Sequence, residues 1–140
     1  LSSGYFLDKA KVEEIINPIE LAKIAALAMD EKLGKNITVM HTTDVTVLAD
    51  YFVICTANST SHIKSLIDTI EFRMEEVGEP AHKREGDRNS GWILLDFGCV
   101  ICHVFMEAPV KSVSKHLFKH WFGYRHIALK LAEHEIIFKI

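Results

Sequence analysis

Between Gly91 and Phe105 the chain holds the residues best suited to chemistry. Cys99-x-x-Cys102-His103 has the spacing of covalent haem attachment, in which two thiols and an axial histidine share one local turn. Asp96-Phe97-Gly98 matches the triplet with which kinases hold magnesium. The surrounding letters speak against both. Trp92 to Leu95 and Val100 to Phe105 are β-favouring apolar runs. Positions three apart on a strand face opposite sides, so the two thiols are expected to diverge and to grip neither a haem nor a zinc ion. No glycine-rich loop and no His-Arg-Asp segment accompanies Asp96-Phe97-Gly98, which reads instead as a hairpin turn with Gly98 free to take positive φ.

The remaining candidates are histidines and carboxylates. His116 and His120 are four apart, as zinc ligands on a helix can be, but Leu117 stands where a zincin has its glutamate. They read as surface or interface residues. Asp44, Asp50, Glu85 and Asp96 lie near expected strand ends, where α/β sheets often carry their sites. Two such carboxylates could hold magnesium, which would make a nucleotidyltransferase-like enzyme using Asp44, Asp50 or Asp96. The preferred reading is an acidic rim that meets a basic partner. Tyr51 and Trp92 are aromatic anchor candidates for such a contact, and core packing is their alternative. His103, inside a strand, reads as a core or rim histidine with a hydrogen-bonded ring.

These residues must be positioned by ordinary globular elements. The 140 residues are 49% hydrophobic and 25% charged, which suits one domain able to bury a core without metal or disulfide. Sixteen basic and nineteen acidic side chains give a formal charge of −3, unlike a general nucleic-acid binder. Three cysteines in apolar runs read as reduced, buried thiols. No apolar run reaches the length of a membrane span, and no leader pattern opens the chain, so a cytoplasmic protein is expected.

Residues 1–16 read as an N-terminal extension or cloning remnant, with a short helix conceivable from Lys9 to Ile16. A helix is expected from Asn17, with Pro18 at its first position, Glu20 at its third and Gly34 as a left-handed stop. Strands follow at Ile37–Met40 and Tyr51–Thr56; the second is apolar on both faces. Asn58 and Ser59 can cap a helix whose stripe is Ile63, Leu66, Ile67, Ile70, Met74 and Val77, ended by Gly78. A short edge strand is expected near Ala81–Arg84, then the two strands of the hairpin. Helix-like stretches follow over Val110–Tyr124, and a last helix over Ala128–Ile140. The order predicts an α+β (α/β layer) fold, a small mixed sheet of about five strands flanked by helices.

Read in order, Asp44-Val45-Thr46, Asp50 to Ile54, Asn58-Ser59, Glu85-Gly86, Gly91 to Gly98 and His103-Val104-Phe105 resemble the ribosomal silencing factor family, also called Iojap. The resemblance runs from about Pro18 to Phe105 and departs from the family pattern over Met106 to Lys130. It implies a nucleotidyltransferase-like fold without catalytic machinery, a domain over 17–125, and residues 126–140 as a C-terminal extension. It further implies docking on ribosomal protein fourteen of the large subunit, which sterically blocks joining of the small subunit. No enzyme activity, cofactor, metal, DNA or membrane partner follows from it; a homodimer and an organellar relative are compatible with it. Asp50, Tyr51, Glu85, Trp92, Asp96 and His103 are the expected partner-binding residues.

Overall fold

A computed structural model describes residues 17–42 and 49–106 in full and residues 136–139 as backbone. Asp44, the helix conceivable before Asn17, the stretch 110–124, His116 and His120 lie outside the described residues. Helix α1 spans Pro18–Glu31 and begins as its letters require: the Asn17 side chain accepts the Glu20 N–H at 3.2 Å. It buries Leu21, Ala22, Ala25, Ala26, Ala28 and Met29, and the four alanines let its backbone approach the sheet closely. Helix α2, Thr60–Glu76, is capped by Ser59, which accepts the His62 N–H, and buries Ile63, Leu66, Ile67, Ile70 and Met74.

The strands are β1 Lys35–His41, β2 Tyr51–Ala57, β3 Lys83–Asp87, β4 Trp92–Asp96, β5 Val100–Met106 and β6 Ile136–Lys139. They form one mixed sheet in the order β3-β4-β5-β2-β1-β6. Only the β2–β5 pair is parallel, and α2 lies on the crossover between those two strands. Both helices cover one face, over Val39, Val53, Cys55, Ile93, Leu95, Val100, Cys102 and Val104. A second buried cluster occupies the other face: Met40, Phe52, Trp92, Leu94, Ile101 and Phe105, with Ala49 beside it. Two-sided burial explains the unbroken apolar runs of β2, β4 and β5.

Three local outcomes differ from the sequence expectation. The left-handed residue after α1 is Leu33, φ 60°, and not Gly34. Gly34 is needed for space: its N–H closes on the Met29 carbonyl at 2.8 Å, and a Cβ there would meet the Cys55 Cβ and Sγ at 3.3 Å. The edge strand starts later than expected and is bent at Gly86, φ +77°, where a Cβ would fall 2.2 Å from the Trp92 carbonyl oxygen. Residues 136–139 form a strand rather than the end of a helix. Ile136, Ile137 and Phe138 are β-favouring types, and they meet the open edge of β1 in antiparallel register. Among the described residues the sheet thus has six strands where about five were expected.

Candidate functional site

Strand register sorts the expected partner-binding residues by face. Glu85 opposes Leu94, Leu94 opposes His103, and Trp92 and Asp96 lie two residues either side of Leu94. Glu85, Trp92, Asp96 and His103 therefore share the face away from the helices. Tyr51 opposes Val100, a residue of the helix-side core, and so points the other way.

Burial then divides that face. Trp92 is 1% and His103 0% exposed. The Trp92 indole N–H donates to His103 Nδ1 at 3.3 Å, and the His103 ring stacks on Phe105 with centroids 5.6 Å apart and meets Phe52 at 5.1 Å. Burial pushes the His103 pKa down to about 3, so the ring is neutral at physiological pH. These two side chains are core, and their expected role as surface contacts does not fit the folded chain. Both sit in runs apolar on both faces, which leave no parity signal to separate core from rim.

Glu85 and Asp96 are half-buried at the edges of the same face. Glu85 pairs with Lys83 at 2.7 Å. Asp96 is occupied in its own turn, where its Oδ1 accepts the Gly98 N–H at 2.7 Å while its carbonyl accepts the His82 N–H. Gly98 takes φ +88° and Phe97 N–H bonds the Val100 carbonyl, which closes the hairpin at the expected residues. Cys99 lies in this turn, half-buried, and packs against the same helix-side core that holds Cys102 and Cys55. The two thiols therefore do not face opposite sides as the strand spacing predicted, because Cys99 precedes the strand. Burial raises all three thiols, Cys55 to about 12, so none is poised as a nucleophile. Among the described residues no group of three or more His, Cys, Asp or Glu side chains is placed to hold a metal ion. No helix among them is long and apolar enough to cross a membrane.

Asp50 and Tyr51 open a different place. The Asp50 N–H bonds the Cys99 carbonyl at 2.8 Å, Tyr51 N–H bonds the same oxygen at 3.1 Å, and the Asp50 carbonyl accepts the Thr42 N–H at 2.8 Å. This fixes the start of β2 between the end of β1 and the hairpin turn. Beside it an open cavity of about 250 Å³ is lined by Asn17, Pro18, Ile19, His41, Asp50 and Tyr51. The His41 and Tyr51 rings lie 5.0 Å apart at its wall. Asn17, Pro18, Ile19 and His41 carry no sequence signal of a site, because their letters are fully explained by a helix start and a strand end.

Comparison with known proteins decides the family. The family described as "Ribosomal silencing factor during starvation" matches residues 15–109. The chain belongs to the ribosomal silencing factor family. A Bacillus subtilis ribosomal silencing factor is 34% identical over 90 residues, covering 64% of this chain and 76% of the relative. The chloroplastic Iojap protein of Arabidopsis thaliana is 34% identical over 97 residues, covering 67% of this chain and 37% of that protein. A crystal structure of a Chromobacterium violaceum protein superposes with a TM-score of 0.63 at 27% identity, covering 65% of this chain and 76% of the other. A Bacillus halodurans structure with the same score and 22% identity shares the fold. As a silencing factor family member, the protein joins a ribosome-associated family with bacterial and organellar branches.

Proposed function

We propose that this protein docks on ribosomal protein fourteen of the large ribosomal subunit and blocks joining of the small subunit, acting in the cytoplasm by occlusion and without chemistry. The observation that carries this reading is the family match over residues 15–109, which spans the sheet from β1 to β5 and both described helices. The surface agrees with it. The chain is weakly acidic, with a formal charge of −3, and half-buried carboxylates stand near strand ends. Glu85 and Asp96 lie on the face away from the helices and Asp50 separately at the start of β2, each suited to a contact with a basic protein. Tyr51 is the aromatic anchor that remains once Trp92 is placed in the core. A second copy of the chain is a further partner to look for, since the resemblance is compatible with a homodimer.

The test is sedimentation of the purified protein with large and with small subunits, followed by light scattering as the two subunits are mixed. Migration with large subunits alone is expected, together with suppression of the joining signal at stoichiometric protein. Protein that stays at the top of the gradient at low salt, or joining at the normal rate with protein bound, refutes the reading.

A further inference from the structure

We infer that the outward face of the α1–α2 pair is a second docking surface, which binds a basic amphipathic helix of a partner protein. The inference does not rest on the ribosome-docking reading. Glu85 and Asp96 lie on the other side of the sheet, so a helix bound here leaves them open. Exposure comes first. Among the described residues three large apolar side chains are exposed: Leu27 at 62%, Leu33 at 78% and Phe72 at 57%. They belong to α1, to the turn that follows it and to α2, and none to a strand. Leu27 and Phe72 each stand opposite the buried stripe of their own helix. A chain of contacts joins them across the helix pair. Leu27 is one turn from Glu31. Arg73 grips Glu31 through Nε at 3.0 Å and Nη2 at 2.9 Å, and Glu76 through Nη1 at 2.8 Å. The same guanidinium lies 5.4 Å from the centre of the Phe72 ring. Single exposed apolar residues are ordinary on a surface. Here two are linked by an ordered ion pair, and Phe72 is held in place before any partner arrives.

Charge selects the occupant. Together α1 and α2 carry seven carboxylates against three cations, a formal −4 on two helices of a chain whose total is −3. The three cations, Lys23, Lys64 and Arg73, are already paired with carboxylates of the same two helices. Arg84 of β3 stands 3.6 Å from Glu71, and with it counted the balance is still acidic. Such a surface repels RNA and anionic lipid. A second copy of the chain would set like charge against like across a two-fold contact. A basic amphipathic helix matches both features of the face. Its apolar stripe covers Leu27 and Phe72, while its lysines or arginines reach the exposed Asp30, Glu75 and Glu76 at the margins.

The probe is a fluorescent peptide of about 18 leucine and lysine residues, with leucines at the spacing of one helical face. One control peptide has the same composition in scrambled order, and another has glutamate in place of lysine. Anisotropy titrations use wild type, Leu27→Ala, Phe72→Ala and the double variant, with Asn89→Ala, in the exposed turn between β3 and β4, as a control. Amide NMR shifts map the contact, and thermal unfolding confirms each fold. Saturable binding of the patterned basic peptide is expected, with shifts concentrated on α1 and α2. Affinity should fall about tenfold in the double variant and stay unchanged in Asn89→Ala, and the glutamate peptide should not bind. Absence of saturable binding overturns the inference. Wild-type affinity in the double variant, equal binding of the scrambled peptide, or shifts confined to the strands overturns it as well. Self-association in sedimentation that the double variant loses would assign the face to a second copy, and that result also overturns it.

Discussion

At His103 a polar letter has been placed where only a neutral ring can stay. Its pKa is pushed down to about 3 by burial, against an ordinary value of 6.5. Below pH 6.5 the unfolded chain therefore binds a proton at this residue that the folded chain refuses. Stability from this group is complete above about pH 6.5 and is lost as pH falls towards 3. The slope is about 1.4 kcal/mol per pH unit for one proton. Urea unfolding between pH 7 and pH 5 measures it before most carboxylates titrate. His103→Leu is expected to flatten that pH dependence while lowering stability at pH 7, because the Trp92 indole loses its acceptor. An unchanged slope in the variant would show that His103 does not carry it. The family motif around Gly91 to Phe105 was legible in sequence, and core packing was one reading open for Trp92 and His103, but the choice between core and rim was not. Trp92-Ile93-Leu94-Leu95 is apolar at every position, so alternation could not say which side chains face solvent.

Elements were legible where a cap or a stripe forces them. Asn17 and Ser59 start their helices, and the five buried apolar residues of α2 are the ones its spacing selected. The turn from α1 to β1 was read less well. Gly34 looked like the left-handed stop, yet Leu33 takes that conformation at 78% exposure while Gly34 yields space to Cys55. Sequence shows that a glycine is required but not which of its two virtues is in use. The two positions should respond in opposite directions. Leu33→Gly relieves a left-handed β-carbon and exposes no new core, so it is expected to raise stability by roughly 0.5–1 kcal/mol. Gly34→Ala must push its Cβ against Cys55 and the Met29 carbonyl, so the same denaturation experiment should show a loss. A loss in Leu33→Gly would favour the original reading of this turn, and a gain in Gly34→Ala would contradict both readings, since alanine is also disfavoured at a left-handed stop. The strand at Ile136–Lys139 was missed for another reason: its partner is an edge more than ninety residues earlier, and a local pattern cannot report that pairing.

For the whole molecule, charge is the property that decides how docking proceeds. The formal charge is −3, and the proposed target is a basic protein set in polyanionic RNA. Two fields then act in opposite senses. The basic protein attracts the acidic face at short range, and the RNA repels the whole chain at longer range. Added salt screens both, with a Debye length near 10 Å at 0.1 M and near 8 Å at 0.15 M. With isolated ribosomal protein fourteen only the attraction exists, so association should slow several-fold as salt rises from low to physiological levels. With intact large subunits the repulsion is screened as well, so the same change in salt should slow association less. Dissociation should vary little in either case, since the contacts that hold the complex are mostly local. Stopped-flow association at a series of ionic strengths, run against both targets, measures the two slopes. Equal slopes would mean that RNA does not shape the encounter, and no slope with the isolated protein would remove the acidic face from the docking mechanism.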